Sequence, residues 1–318
     1  MHKEFLMQKK ISIVFAIYNE EENITRLCEE VRKVVDKENY DFDIIFVDDG
    51  SKDNSVEIIK NIIQENDKVK LIKLTRNFGH QQALTAGVEL AKADAIITMD
   101  ADLQDPPSLI PELIKKWEEG YKVVYAQRKN YRRDNFLKRM MTKLYYKLIH
   151  RIHSMKIPQN VGDFRLIDKA VQTELLKMQE RSRYLRGMVA WLGYEAAFVT
   201  YHRKDREKGK SSYSFGKLIS LGMDGLINFS MIPLRFGLYL GFMSIFIGVG
   251  FLAYMLIDIA VNDVYYHLYK FLVDIIFIFL GFLFILIWIL GEYIGRTYRE
   301  TKGRSIYVID SKENFSKE

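Results

Sequence analysis

The sequence lacks the features that mark disulfide-stabilised, exported and phosphate-loop proteins. Cys28 is the single cysteine among 318 residues, which excludes an internal disulfide and fits a reducing compartment. The apolar run 11–17 is too short for a signal peptide and is followed by the acids of 20–22, so we expect no export signal. The chain contains no Gly-x-Gly-x-x-Gly sequence and no phosphate-loop lysine motif. Any bound phosphate must therefore be held by a metal ion and basic side chains.

The composition is basic, and its apolar residues are unevenly distributed. The formal net charge is +6, which indicates an anionic partner, and we expect that partner not to be a nucleic acid. The length is sufficient for one large or two ordinary domains, each with its own core. Apolar residues accumulate after 232, so the C-terminal third differs in kind from the rest.

The first two thirds of the chain alternate between short β-branched runs and amphipathic windows. Strands are predicted at 11–17, 43–47, 69–74, 95–99 and 122–126, and helices at 21–35, 54–64, 81–91 and 108–119. This alternation predicts an α/β fold with a mainly parallel sheet. Ligands bind at the carboxyl ends of the strands in such sheets.

An acidic sequence follows the predicted strand 95–99. Asp100 and Asp102 are separated by one small residue, Ala101, so an extended chain would carry both carboxylates on the same side. Two carboxylates at a strand end, with the amide oxygen of Gln104 two residues further on, are typical ligands for Mg²⁺ or Mn²⁺. A bare Asp-x-Asp is more often a simple acidic turn. The neighbouring strand ends, at 18–20 and 48–51, are also polar, and Asp48 and Asp49 there can bind a nucleobase or a ribose, or can serve only in the turn and in helix capping.

Two later regions have the character of membrane-associated segments. Residues 134–153 form a basic amphipathic pattern, which indicates a helix at the lipid headgroups or else a core helix with a solvated basic face. A second amphipathic window covers 213–232. The runs 236–257 and 271–291 are each close to the roughly 20 apolar residues that span a bilayer. Because basic residues flank both runs on their outer sides, we expect a hairpin in the inner membrane with both termini in the cytoplasm.

These patterns predict the following organisation of the chain. A cytoplasmic catalytic α/β domain covers 1–212, an interfacial helix covers 213–232, a transmembrane hairpin covers 233–295, and a cytoplasmic tail covers 296–318.

Five motifs in a fixed order resemble the inverting glycosyltransferases of the GT-A fold, a Rossmann-like α/β fold. They are SIVFAIYNE at 12–20, VDDGS at 47–51, RNFG at 76–79, DADLQDPP at 100–107 and VGDFR at 161–165. The branch that the chain resembles is the polyprenyl-phosphate glycosyltransferases, which includes dolichol-phosphate mannosyltransferases and bactoprenol glucosyltransferases. The resemblance implies a nucleotide-diphosphate sugar, UDP-linked in most bacterial members, and a polyprenyl phosphate such as undecaprenyl phosphate.

The resemblance also implies roles for individual residues. Residues expected to line the nucleotide sugar are Ala16, Tyr18, Glu20, Asp48, Asp49, Asp100, Ala101 and Asp102. The metal, Mg²⁺ or Mn²⁺, is expected on Asp100, Asp102 and Gln104. Basic residues expected at the acceptor or donor phosphates are Arg128, Arg139, Arg206 and Lys210. The expected catalytic residues are Asp102, Arg128 and Asp163, the last of them as a base, as an orienting group or as a structural aspartate.

Other functions remain open at this point. A processive polysaccharide synthase would carry a Gln-x-x-Arg-Trp element, but Arg186 and Trp191 stand in a different arrangement. A transferase that acts on a lipid hydroxyl would need a true general base. A non-enzymatic scaffold on the membrane would not need the acidic residues at 100–105. The sequence leaves the sugar and homo-oligomerisation open.

Overall fold

The computed structural model describes residues 8–129, 158, 160–181, 183–202 and 268–315, together with the isolated helical positions 243, 246, 250, 254, 257 and 261. The chain divides into two compact units. One unit comprises 1–142, 155–210 and 304–318, and the other comprises 143–154 and 211–303.

Among the described residues, the first unit contains eight strands and six helices, and the second unit contains one long helix. The strands are β1 (Lys10–Ile17), β2 (Asp41–Asp48), β3 (Val69–Leu74), β4 (Ala95–Asp100), β5 (Val123–Arg128), β6 (Val161–Asp168), β7 (Ala196–Tyr201) and β8 (Ile309–Glu313). The helices are α1 (Ile24–Val35), α2 (Ser55–Glu65), α3 (His80–Leu90), α4 (Ile110–Glu118, after a 3₁₀ turn at Pro107–Leu109), α5 (Lys169–Lys177), α6 (Leu185–Trp191) and α7 (Leu268–Thr301).

The eight strands form one sheet in the order β7-β5-β6-β4-β1-β2-β3-β8. Strands β1 to β4 run parallel to one another where they pair, and β5 is parallel to β7. β6 is antiparallel to both β4 and β5, and β8 is antiparallel to β3. The predicted α/β class and the mainly parallel sheet are confirmed, and each predicted strand and helix of the first 120 residues is present within a few residues.

The sheet is covered by apolar side chains on both faces. Successive residues of β1 point to opposite sides, so Ile13 and Phe15 belong to the core layer with α1 and α4, whereas Val14 belongs to the layer with α3. Burial on both faces explains why the central strands read as continuous apolar runs. α3 lies so close to the sheet that a Cβ on Gly87 would come 2.3 Å from Cγ1 of Val14. This close packing fixes the start of α3 at the end of the sheet that carries the polar motifs.

The long helix α7 runs over 34 residues in the second unit. It includes the predicted span 271–291, while the predicted span 236–257 lies largely outside the described residues. Among the helices of the described ranges, none combines the length and the hydropathy that crossing a membrane requires. The transmembrane hairpin therefore stays a prediction. The predicted amphipathic helices at 134–153 and 213–232 lie outside the described residues.

The region predicted as a tail, 296–318, contains two elements that were not predicted. α7 continues to Thr301, and β8 then adds to the edge of the sheet beside β3, with Leu71 opposite Glu313 and Ile72 opposite Lys312. The side chain of Asn314 donates hydrogen bonds to the backbone oxygens of Asp67 and Val69 at 2.6 and 2.8 Å. The C-terminal segment is thus part of the sheet domain.

Candidate active site

The carboxyl ends of β4, β1 and β2 lie side by side at one edge of the sheet. Ala16 stands opposite both Val47 of β2 and Asp100 of β4, and Ile17 stands opposite Asp48. The strand order reverses here, because β2 and β3 continue on one side of β1 whereas β4 lies on the other. Such a reversal opens a crevice at the carboxyl ends of the strands, where ligands bind in open α/β sheets. The predicted nucleotide-binding residues meet at this crevice.

The loops that follow β1 and β2 are joined by hydrogen bonds. The backbone N–H of Asn19, a residue with φ of 54°, donates to Oγ of Ser51 at 3.0 Å, and the N–H of Lys52 donates back to Oδ1 of Asn19 at 2.8 Å. The N–H of Glu20 donates to Oγ of Ser55 at 3.0 Å. Between these anchored residues Tyr18 is left 43% exposed. The two loops therefore form one rigid wall that presents the Tyr18 ring to solvent.

Asp48 and Asp49 are both buried and hydrogen-bonded to the backbone of their surroundings. Asp48 accepts the N–H of Ser51 at 3.1 Å, which closes the turn after β2. Asp49 accepts the N–H groups of Phe78 and Gly79 at 2.7 and 2.9 Å. Burial raises the pKa of Asp49 above its usual value even though these hydrogen bonds oppose the shift. Both carboxylates shape the crevice, and direct contact with a nucleoside stays a prediction.

The acidic sequence after β4 does not continue as a strand. β4 ends at Asp100, Ala101 and Asp102 form a turn, and Leu103 has φ of 56°. The N–H of Gln104 donates to Oδ1 of Asp102 at 3.1 Å, so the turn folds back on the Asp102 side chain. The expectation that an extended chain aligns Asp100 and Asp102 was therefore wrong. Backbone curvature in the turn, and not strand pleating, sets their arrangement.

His80 was not predicted, and it lies beside Asp100. It begins α3 directly after Gly79, and its Nε2 lies 3.4 Å from Asp100 Oδ1 and 3.5 Å from Asp163 Oδ2. One ligand atom from each of the three residues lies within 4.8 Å of the others, so they could hold a metal ion. Burial lowers the pKa of His80, but the two carboxylates outweigh this effect and raise it to about 10. A bound cation would have to displace that proton.

Asp163 is 3% exposed and is surrounded by donors. Arg165 Nη2 lies 2.6 Å from its Oδ1, Arg186 contributes Nε at 3.2 Å and Nη2 at 3.0 Å, and Gln81 Nε2 donates at 3.2 Å. Burial raises the pKa of Asp163, but hydrogen bonds and two arginines hold it well below its usual value. A carboxylate stabilised in this way is a poor proton acceptor near neutral pH. The geometry favours orientation of neighbouring groups over general-base catalysis.

Arg186 does not fit the Gln-x-x-Arg-Trp element of a polysaccharide synthase, but its side chain reaches the crevice. It lies in the first turn of α6, and its side chain is 33% exposed while it holds both oxygens of Asp163. Burial opposes its charge, but Asp163 keeps its pKa above the usual value. A fixed, partly exposed guanidinium near Asp100 is suited to bind an anion. The sequence Arg183 to Gly187 offered no signal beyond its two arginines.

Arg128 is the last residue of β5, and its side chain forms hydrogen bonds with other side chains of the protein. Its guanidinium donates to the carboxylate of Asp105 and to the hydroxyl of Tyr201. The predicted phosphate contact of Arg128 is therefore not evident in this arrangement. The other predicted phosphate-binding residues, Arg139, Arg206 and Lys210, lie outside the described residues.

The side chains at the end of β4 are of the types that bind a hard divalent cation, whereas the three ligand atoms that lie within 4.8 Å of one another belong to His80, Asp100 and Asp163. The side chain of Asp100 is partly exposed at the crevice, and Asp102 and Gln104 follow within one turn. Carboxylate and amide oxygens are the ligands that Mg²⁺ and Mn²⁺ prefer. Both oxygens of Asp163 already accept hydrogen bonds from cationic groups, so Asp163 is the weaker candidate ligand.

The chain is similar in sequence to known proteins over most of its length. Residues 12–176 match Glycosyl transferase family 2. Over 300 residues the chain is 39% identical to a prophage bactoprenol glucosyl transferase homolog of Escherichia coli (strain K12), covering 94% of this chain and 98% of that protein. It is 37% identical over 303 residues to an uncharacterized glycosyltransferase of Synechocystis, with 95% of each chain covered. Among solved structures, glucosyl-3-phosphoglycerate synthase from Mycobacterium tuberculosis with Mn²⁺ and UDP-glucose aligns at 16% identity over 68% of this chain and 76% of that chain, with a TM-score of 0.43.

Proposed function

Because the chain belongs to glycosyl transferase family 2, we propose that this glycosyltransferase moves a sugar from a nucleotide-diphosphate donor to a polyprenyl phosphate with inversion. UDP-glucose or a UDP-N-acetylhexosamine is the proposed donor, and undecaprenyl phosphate is the proposed acceptor. Relatives of nearly equal length carry the name bactoprenol glucosyl transferase, which supports the lipid acceptor.

The observation that carries the proposal is the charge arrangement at the end of β4. The partly exposed carboxylate of Asp100 lies 3.4 Å from His80, and Asp163 and Arg186 form an ion pair at 3.0 Å next to the same histidine. Departure of a nucleoside diphosphate places negative charge on its oxygens. Positive groups fixed in advance stabilise that charge in the transition state. Arg186 is the described side chain best placed for this role.

A divalent cation would complete the site. Asp100 and Asp102 would hold it, with Gln104 as a further ligand, and when bound it would supply Lewis-acid stabilisation of the leaving diphosphate. The wall formed by the loops after β1 and β2 would then receive the nucleoside, with the Tyr18 ring available for stacking.

The proposed acceptor explains why the site needs no strong base. A phosphate monoester is already largely ionised at neutral pH, so its oxygen can attack without losing a proton to the protein. Asp163 is held as an anion by Arg165 and Arg186, and this state suits it to fix Arg186 and His80 in position. A lipid hydroxyl, in contrast, would require a proton acceptor whose pKa lies near neutrality.

We further propose that the enzyme is attached to the inner face of the cytoplasmic membrane through the hairpin 236–257 and 271–291. The proposal is supported by the apolar sequence of both runs and by the basic residues on their outer flanks. Described side chains along α7, including Ile276, Leu283 and Trp288, are about half exposed, which leaves apolar surface that needs a cover.

The test is sugar transfer by membranes that contain the full chain. Radiolabelled UDP-sugars and GDP-sugars would be incubated with polyprenyl phosphate or with the corresponding polyprenol. We expect label from one UDP-sugar in an organic-extractable product with the phosphate only. Label on the polyprenol would indicate a hydroxyl acceptor, long polymeric products would indicate a synthase, and no product with any donor would contradict the proposal.

A further inference from the structure

Three side chains from separate parts of the chain meet at the end of the loop 101–105, which carries two of the proposed metal ligands. Arg128 donates through Nε to the Tyr201 hydroxyl at 3.0 Å and through Nη2 to both oxygens of Asp105 at 3.3 and 3.1 Å. The Tyr201 hydroxyl in turn donates to Oδ1 of Asp105. Each of the three groups thus contacts the other two. We refer to Asp105, Arg128 and Tyr201 as the latch.

The sheet brings the latch together. β5 and β7 are parallel neighbours, and their last residues, Arg128 and Tyr201, stand opposite each other. The guanidinium lies over the start of β6, where a Cβ on Gly162 would come 2.7 Å from Nη2. Glycine leaves the room that the arginine occupies, which explains a glycine at this position of a buried strand.

The latch holds the loop that carries the proposed metal ligands. Asp105 is 0% exposed and lies three residues after Asp102 and one after Gln104. On the other side of Asp105, Pro106 and the 3₁₀ turn that Pro107 begins restrict the backbone. Fixing the Asp105 carboxylate therefore fixes the turn from both directions. In the absence of the latch, the Asp102 and Gln104 side chains would have to find their positions when the cation binds.

We propose that Arg128 is a positioning residue: with Tyr201 it anchors Asp105 so that the loop 101–105 is preorganised for the divalent cation. This inference rests on the proposed function, and it replaces the predicted role of Arg128 as a phosphate-binding residue. The side chain of Arg128 is only 26% exposed, and turning it toward a phosphate would break its ion pair with the buried Asp105 carboxylate. Removing one partner of a buried ion pair is strongly unfavourable.

The test uses the purified full chain and Mn²⁺, whose free concentration is measured by electron paramagnetic resonance with UDP present. Tyr201→Phe removes only the hydroxyl. Arg128→Lys keeps the positive charge but lacks the guanidinium nitrogens that donate to Tyr201 and Asp105 at the same time. We expect each to weaken Mn²⁺ binding about tenfold, the size typical of lost groups behind metal ligands. The double variant should be no weaker than the single ones, because both act through Asp105. Hydrogen exchange in the peptide 101–107 should become faster in all three.

The competing role makes the opposite prediction. If Arg128 binds a phosphate of either substrate, Arg128→Lys will raise the KM for that substrate while Tyr201→Phe leaves Mn²⁺ binding and exchange unchanged, and the latch is refuted. Lys122→Gln is the matched control, since it breaks a 3.1 Å ion pair with Asp168 at the opposite end of β5. If this control weakens Mn²⁺ binding equally, the effect reflects general stability and the latch is also refuted. Wild-type protein that binds no Mn²⁺ and forms no sugar lipid would instead contradict the proposed function.

Discussion

At the scale of single residues, the carboxylates at the crevice fall into two groups. Asp49 and Asp163 are buried and accept hydrogen bonds from two or more donors of the protein, so their charges are already used to shape the site. Asp100 and Asp102 are partly exposed at the end of β4. Only a carboxylate that reaches solvent can exchange water for a substrate or a cation. The second group is therefore where substitution should affect transfer more than folding.

Asp102→Asn should abolish transfer and leave the fold intact. The amide keeps the shape and the oxygen that accepts the Gln104 N–H, so we expect the free energy of unfolding to change by no more than about 1 kcal/mol. If Asp102 binds the cation as proposed, the loss of its charge should lower transfer by roughly two orders of magnitude or more. Sugar-lipid formation and thermal unfolding measure the two effects. EDTA should inactivate the wild type, with recovery in Mg²⁺ or Mn²⁺, and near-normal transfer by the variant would show that Asp102 is not a ligand.

Arg186→Lys should reduce transfer although it keeps the positive charge. The guanidinium of Arg186 binds both oxygens of Asp163, which the ammonium group of a lysine cannot do in the same way. The positive charge of the side chain would therefore lose its fixed position. We expect the rate constant for transfer to fall by about one order of magnitude or more, as for other preorganised charges. Lys177→Gln is the control, because its pair with Glu174 is exposed and worth little. Equal rates for both variants would contradict a role of Arg186 in transfer.

The sequence could identify these acidic residues but not the cations that accompany them. Asp100 and Asp102 follow an apolar run directly, so their position at a strand end was readable. His80 and Arg186 reach the crevice from the first turns of α3 and α6, and the direction in which those helices leave the sheet depends on packing of distant segments. Arg128 was predicted as a phosphate-binding residue, but its pairing with the buried Asp105 and Tyr201 was not, because these partners are 23 and 73 residues away.

At the scale of elements, strands β1 to β5 are easier to predict from the sequence than β6 and β8. β1 to β5 are apolar runs followed by turns. β6 contains Asp163, Arg165 and Asp168, all buried and paired, so it does not resemble a buried strand. β8 alternates between half-buried and exposed residues and is mostly polar, as edge strands often are, so it reads as a tail. Charged strands are recognisable only after their partners are known.

The turn after β2 is the element most dependent on a single residue. Gly50 has φ of +74°, and a Cβ there would lie 2.6 Å from the carbonyl carbon of Arg76 and 2.7 Å from the nitrogen of Asn77. Gly50→Ala should therefore lower the free energy of unfolding by at least about 2 kcal/mol, from backbone strain and steric overlap together. It should also displace the segment that leads to His80 and reduce transfer.

Gly120→Ala provides the comparison for this prediction. Gly120 also has positive φ, +103°, but nothing lies within 4 Å of a Cβ placed on it. Its substitution should cause backbone strain alone and cost less than Gly50→Ala in denaturant unfolding. Equal costs would show that the close approach of the Gly50 turn to 76–77 does not matter for stability.

At the scale of the whole molecule, the chain leaves the sheet domain and returns to it. The first compact unit includes residues 1–142 and 155–210 and again those from 304, and the segment that returns after 303 pairs as β8 with β3. If the intervening residues cross a bilayer, they must cross it an even number of times, because both ends belong to one sheet. This connectivity is compatible with the two proposed spans, and with any even number of crossings the C-terminus would lie on the same side as the rest of the sheet.

The last prediction tests this topology with cysteines as reporters. Cys28 is the single cysteine and is buried, so Cys28→Ala gives a nearly silent background. In that background, Asn262→Cys lies in the link between the two predicted spans, and Lys317→Cys lies just beyond β8. We expect a membrane-impermeant maleimide to label Asn262→Cys in intact cells stripped of any outer membrane, and Lys317→Cys only after lysis. Labelling of Lys317→Cys in intact cells would contradict the proposed cytoplasmic location of the C-terminus and of the sheet to which β8 belongs. Protection of both positions until lysis would show that residues 211–303 do not cross the membrane, and the hairpin would then be excluded as the anchor.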